Sequence, residues 1–492
     1  METLISAKPL IAVLVSLLAT PMIAYSRSPN VREGWTFTAA AVKFILVASM
    51  LPAVLSGLEI NFTVFEVMPG LSIAFRVDAF GLLFALVASF LWIVTSAYSI
   101  GYMRGLDEHG QTRYFCFFAI SLSAALGVAF SANLLTLYLF YEMLSLATYP
   151  LVTHHQDQEA RTSGRKYLLY TVGSSIGLVL PAMLITYHFS GNLEFTPQGV
   201  LAGTASRGTV AVLLFMFVFG FAKAAVMPLH SWLPAAMVAP TPVSALLHAV
   251  AVVKVGVFSI VRTITGIFGT DMLQSFDLST PLLFVAATTI LVGSFIALSQ
   301  DNLKRMLAFS TIAQLSYIVL GAALLSPKGV TGGMVHIAMH AFGKITLFFC
   351  AGAIYVATGK KNISDMTGIG RRMPVTMMAF FIGALSIIGM PPCGGFLSKW
   401  TLVLGALEAD KIAILVVLLF SSLLNAAYFM PVVYKAFFCP AEDALFEDRV
   451  QEAPLFCVVP LTITAVISIL LLFYPQPFMK LAVMAAAKFT GM

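Results

Sequence analysis

Phe219-Gly-Phe-Ala-Lys223-Ala-Ala-Val-Met-Pro228-Leu-His230-Ser-Trp232-Leu-Pro234 is the stretch on which the reading of this chain turns. It closes a run apolar enough to lie in a bilayer, yet it holds a lysine and, five residues later, a proline. Proline removes a backbone donor and crowds the preceding turn, so a helix here breaks or kinks and frees carbonyls that water or a cation can satisfy. A second interruption lies toward the other end, in Gly389-Met-Pro391-Pro392-Cys-Gly-Gly-Phe-Leu-Ser-Lys399, again with prolines in mid-span and a lysine just beyond. Interrupted apolar segments in both halves of a chain, each with an ionisable residue, mark an inverted repeat with its site at the breaks. Prolines by themselves also merely bend helices. The paired lysines favour the first reading.

Working outward, 59% of the 492 residues are hydrophobic and 10% charged, with mean hydropathy +0.94. That balance belongs to an all-α integral membrane protein. Apolar runs fall near 4–25, 35–58, 78–100, 113–130, 133–152, 164–189, 209–230, 242–266, 278–298, 303–325, 331–358, 374–398, 411–438 and 455–474. Each is long enough to cross a core of ~30 Å, which predicts about fourteen spans. Residues 8–24 have the look of a signal peptide but are expected to be the first span. Residues 59–77 alternate as strands do and predict a hairpin outside the membrane, whereas 439–453 reads as a solvated loop.

The net charge of +6 has a topological cause and does not point to nucleic acid. Arg104, Arg113, Arg161, Arg165, Lys166, Lys304, Arg305, Lys360, Lys361, Arg371, Arg372 and Lys435 fall on one set of alternating loops. The opposite set holds mainly Lys8, Arg76, Arg207, Arg262, Lys328, Lys411, Lys480 and Lys488. The excess marks the cytoplasmic side, so both termini are expected outside the cytoplasm of a plasma membrane. The five cysteines form no C-x-x-C pair, and no phosphate loop or hydrolase motif occurs. Neither a cofactor nor a metal is expected, and a self-contained enzyme is disfavoured.

Chemistry is concentrated inside the spans. Lys43, Lys223, Lys254, Lys344, Lys399 and Glu142 lie within apolar runs, where an ionisable group costs several kcal/mol unless paired, hydrated or neutralised. His336, His340 and Lys344 are spaced i, i+4, i+8, which puts them within ~80° of one helix face and along ~12 Å of it. Such a stripe can exchange protons. Two histidines without a third ligand do not make a zinc site. His248 and Lys254 are six apart and should address different neighbours. Lys43 is expected to snorkel to the interface, and His109, His154, His155 and His188 to be loop or interfacial residues. His230 beside Trp232 is either a headgroup anchor or a point of proton uptake. With Glu142 the one acid well inside a span, the lining suits protons better than a hard cation.

From Asp78-Ala-Phe-Gly-Leu-Leu through Leu-Tyr-Leu-Phe-Tyr-Glu142, the Lys223 and Lys254 segments, His336/His340/Lys344 and Pro391-Pro392 to Lys399, the chain resembles the antiporter-like subunits shared by respiratory complex I, membrane-bound hydrogenases and Mrp cation/proton antiporters. Its length and the pattern around Lys399 most resemble the D-type component of Mrp antiporters. The complex I relative usually has a glutamate there.

The resemblance implies fourteen helices and two inverted five-helix repeats, each with a broken helix. The divisions would be 1–112, a first repeat over 113–266, a second over 278–438, and 439–492 with a loop, the last span and a tail. It also implies that Glu142 pairs with Lys223, that Lys254 with His248 bridges the halves, that His336, His340 and Lys344 continue a proton relay, and that Lys399 ends it. The expected setting is a hetero-oligomeric Na+/H+ antiporter. The alternatives are the proton-pumping part of a redox complex, and a scaffold or carbon-uptake partner without conduction.

Overall fold

The computed structural model describes residues 3–440 and 450–490. A three-stranded sheet caps one end of a helical bundle. β1 (Thr3–Ile5) runs parallel to β2 (Glu59–Met68), which is antiparallel to β3 (Leu71–Val77). The hairpin turns at Gly70, whose φ of +75° lies where a side chain is strained. Pairing of the N-terminal residues with it is an addition to the expected hairpin, because three residues are too few to show a period of two.

Eleven helices among the described residues are long and apolar enough to cross a bilayer. Three more apolar helices are shorter: Lys8–Ala24, Arg207–Gly220 and Pro374–Ile388. Counting them gives the expected fourteen, and the latter two are the first arms of the broken helices. The helix Pro327–Thr358 forms the centre of the bundle. Its start is set by Ser326, whose hydroxyl accepts from Gly329 N, with Pro327 in the first turn, and its end by Gly359 in the left-handed conformation. At 32 residues it is ~48 Å long, and its membrane-spanning stretch is buried on every side. A helix apolar all round belongs there.

Four expectations are corrected. The C-terminal tail is a helix, Gln476–Thr490, that packs on the central helix and on Ala79–Gly105. Lys43 does not snorkel: it is fully buried, with Nζ 3.4 Å from Leu122 O and 5.5 Å above the Trp92 ring. Its helix begins at Pro29, not near 35, so the lysine lies deep in the bundle and Glu33 is buried within the first turns beside Arg104. Arg262 is no loop residue but clamps Asp78 through two bonds of 2.5 and 2.9 Å. Burial alone would raise the Asp78 pKa, and Arg262 overrides it, holding the carboxylate well below its usual range. Of the expected loop 439–453, residues 441–449 lie outside the described residues.

Polar contacts divide the ends of the bundle into two faces. Lys488 meets Glu59 beside the sheet, and Arg76 meets Glu194 on that same side. On the other, Arg113 donates to His154 O, Asp301 accepts from Ser364, and Gln451 N donates to Arg372 O.

Candidate functional site

The first broken helix stops at Gly220, passes through a 3-10 turn Ala222–Ala224 and bends at Ala225, whose φ of 53° is left-handed. It resumes in a single turn, Trp232–Ala235. The break therefore opens at Phe221, well before Pro228. Gly256 on the neighbouring helix admits it, since a Cβ there would lie 2.1 Å from Ala224 N. The freed carbonyls are met by protein and not by solvent: Ser174 Oγ donates to Gly220 O at 3.0 Å and Trp232 Nε1 to Ala222 O at 2.9 Å.

This geometry aims Lys223 inward. Its Nζ donates to Tyr141 O at 2.7 Å and Ser145 Oγ at 2.6 Å, and lies 3.2 Å above the Tyr141 ring. Glu142 is the next residue on that helix, yet it forms no ion pair with Lys223, and its Oε1 has no partner among the described residues. The expected closed pair is open in this structure. Lysine is held by neutral oxygens and an aromatic face.

The second break runs from Gly389 to Gly394 between helices Pro374–Ile388 and Gly395–Glu408. Pro391 and Pro392 lie inside it, as expected. Gly389 has φ +85°, and a Cβ on it would come 2.6 Å from Lys399 Cδ, so the lysine stem crosses the break where only glycine leaves room. Lys399 Nζ donates to Ile388 O at 3.1 Å and Ser422 Oγ at 3.2 Å, and sits 4.8 Å above the Tyr317 ring.

Between the breaks the expected stripe is present and buried. Tyr317 stacks on His336 with ring centres 5.5 Å apart. His336 Nδ1 meets Ser398 Oγ at 2.9 Å and its Nε2 meets Gln314 Oε1 at 3.1 Å. The His336 and His340 rings are 5.6 Å apart, and His340 Nδ1 makes a short hydrogen bond with Lys254 Nζ. Lys344, one turn on, donates to Leu307 O at 3.2 Å.

Lys254 also donates to Ala249 O at 2.8 Å, a carbonyl presented by a π-helical stretch, Val243–Ala251. Such widened turns gather at functional positions, and a second, Ser175–Val179, lies beside the first break. The expected linkage of Lys254 with His248 is absent. His248 points to Trp232, and neither of its ring nitrogens has a partner among the described residues. The wider π turn changes the angular step between residues, so rotation counted at 100° per residue no longer holds.

Away from this row, His230 is half-buried with Nδ1 3.2 Å from Pro228 O, and His188 is exposed. His154 is not a surface residue. It is 0% exposed, and burial, with His109 and His155 close by, pushes its pKa down to about 3. A polar cavity of about 760 Å³ opens on the basic face, lined among others by Glu108, His155, Lys166, Lys304 and Lys361.

Tyr141, Tyr317 and Ser422 were not foreseen as lysine partners. Their only signal, a polar tip on an apolar helix, is shared by every interfacial or packed tyrosine and serine.

A family model described as NADH:quinone oxidoreductase/Mrp antiporter, TM, matches residues 131–425. A second, NADH-Ubiquinone oxidoreductase (complex I), chain 5 N-terminus, matches 69–115. The chain belongs to the NADH:quinone oxidoreductase/Mrp antiporter transmembrane family. Within that family it is 36% identical to NADH-quinone oxidoreductase subunit N of Desulforudis audaxviator, over 73% of this chain and 71% of that one. It is 31% identical to an Na(+)/H(+) antiporter subunit of Alkalihalophilus pseudofirmus over 95% of this chain, but spans 60% of that longer protein. In fold it matches a component of the Mrp complex from Dietzia sp. at TM-score 0.88 and 23% identity, covering 98% of this chain and 97% of that one. A component of an archaeal membrane-bound sulfane sulfur reductase matches at 0.88 and 24%, covering 99% and 98%. Family membership makes it a multi-pass membrane protein whose relatives work as subunits of larger membrane complexes.

Proposed function

We propose that the chain is the proton-translocating subunit of a multisubunit monovalent cation/proton antiporter, in the manner of the D-type component of Mrp complexes. The observation that carries this is the buried row Lys254–His340–His336–Tyr317–Lys399, which runs from the helix packed on the first break to the helix that leaves the second. Each member except Tyr317 exchanges protons within its ordinary chemistry, and Tyr317 is a π-face between an imidazole and an amine. Buried polar atoms along the axis support the reading: Glu142 Oε1, Ser244 Oγ, both His248 nitrogens, Gln314 Nε2, His340 Nε2 and Ser386 Oγ have no partner among the described residues. An unmade hydrogen bond costs ~1–3 kcal/mol, and a polar interior meets such a demand with bound water. Water between the titrating groups is what proton transfer needs.

Glu142 beside Lys223 supplies the switch. Closed, the ion pair favours a charged lysine; open, as here, it favours release of the proton onward. Residues 113–266 and 278–438 are the two inverted repeats in this reading. Both chain ends lie by the sheet, on the side poor in basic residues, which supports extracytoplasmic termini in a plasma membrane. Carboxylates are too few along the axis for a sodium site, so sodium crosses with help from other subunits.

The test is transport by the assembled complex in proteoliposomes. Lys254→Ala and His340→Ala should each lower proton-coupled flux by about tenfold or more, the scale of a lost proton-transfer group, while the complex still assembles. Normal flux in both variants would sink the proposal and favour a scaffold.

A further inference from the structure

Two turns on the basic face meet in a cluster outside the lysine–histidine row. One follows helix Ala79–Gly105 and carries Glu108 and His109; the other follows helix Leu134–Val152 and carries His154 and His155. Glu108, His109 and His154 each offer a ligand atom, and these all lie within 4.8 Å of one another. Glu108 Oε2 is 3.7 Å from His154 Nε2 and 3.6 Å from His155 Nδ1. His154 is 0% exposed, and neither ring nitrogen has a hydrogen-bond partner among the described residues. Its position is fixed by Arg113, which donates to its carbonyl at 2.9 Å, and by the Tyr114 ring set edge-on 6.0 Å away.

We propose that Glu108, His109 and His154 form a binding site for a divalent transition-metal ion of the zinc class, with His155 beside the same carboxylate as fourth ligand. Imidazole nitrogens with one carboxylate are a donor set that such an ion prefers and that calcium and magnesium do not. Four ligands at 2.0–2.1 Å around a tetrahedral ion lie about 3.3 Å apart. The cluster must therefore tighten by about an ångström, which turns with an exposed His109 permit. The competing arrangement is a carboxylate bridging two imidazoles. It has no use for His109 and leaves His154 Nδ1 unpaired, so the two readings separate on His109.

Location gives the site a consequence. Glu108 and His155 both line the 760 Å³ cavity, whose wall also holds Lys304 with its Nζ 2.7 Å from Ala239 O. A bound ion would tie the two turns together at the cavity rim.

Zinc chloride and cobalt(II) chloride, added separately to the purified metal-free complex containing the full chain, test this. One saturable ion per chain is expected, with cobalt showing the intense visible bands of a four-coordinate ion. His109→Ala, an exposed position whose loss leaves the fold intact, should weaken zinc at least about tenfold, as should His154→Ala. Absence of saturable binding, a weak six-coordinate cobalt spectrum, or zinc binding unchanged in His109→Ala would each overturn the assignment. The result is independent of whether the lysine–histidine row conducts protons.

Discussion

At the first break Lys223 lies on the face of Tyr141 with a glutamate one residue further along the same helix. At the second, Lys399 lies over Tyr317 and its nearest polar groups are a carbonyl and a serine hydroxyl. Both amines are buried and both share an aromatic wall, but only the first has a potential counter-ion near it. The backbone differs too: Ala225 bears the left-handed bend at one break and Gly389 at the other. The two halves thus use similar scaffolding for unequal electrostatics. A carboxylate can move a lysine between charged and neutral forms, whereas hydroxyls and carbonyls only hold it. Loading belongs to the first half and onward passage to the second.

The largest effect that would break this comparison concerns Glu142. Glu142→Gln should lower proton-coupled flux by ~100-fold in proteoliposomes, within the range for a lost acid–base group. Ser422→Ala, the closest equivalent at Lys399, should leave flux within about threefold, the size of one neutral hydrogen bond. Equal losses would mean the breaks are not divided in this way.

A smaller effect sharpens the backbone contrast. Gly389→Ala must place a Cβ in a left-handed residue against the Lys399 stem, and should cost about 1–3 kcal/mol in thermal stability. Ala225→Gly relieves the left-handed penalty of an L-residue and should be neutral or stabilising by up to about 1 kcal/mol.

The smallest effect compares the amines. Lys399→Met keeps the volume and removes the desolvation of a buried amine, so the melting temperature of the detergent-solubilised complex should rise by the equivalent of about 1 kcal/mol. Lys223→Met strands Glu142 without its cation and should gain less. A larger gain at Lys223 would argue that Glu142 is indifferent to it.

Much of the architecture is legible in composition and punctuation. Runs of apolar residues, the prolines at 391 and 392 and the left-handed glycines place most helices within a few residues, because bilayer thickness and backbone donors are local constraints. The stripe His336/His340/Lys344 is equally readable, since a regular helix turns spacing into direction. Where the helix is not regular the reading fails. The π turn over Val243–Ala251 re-aims His248 and Lys254, and the first break opens at Phe221 and not at its proline. Lys43 and Arg262 were misplaced for another reason, as a lysine or arginine near an expected span end looks the same whether it reaches water or a buried partner.

Sequence alone determined that this chain crosses a membrane many times, that its helices are interrupted twice, and that amines and imidazoles populate its interior. Those facts follow from hydropathy, from the missing proline N–H and from residue identity, all of which are properties of short stretches. Tertiary structure decided the partners: Lys254 with His340, Lys399 with Tyr317, an open Glu142, and Glu108 gathered with His109 and His154 from separate turns. Such pairings join residues dozens to more than eighty positions apart, and only the packing of whole helices fixes distances of that kind.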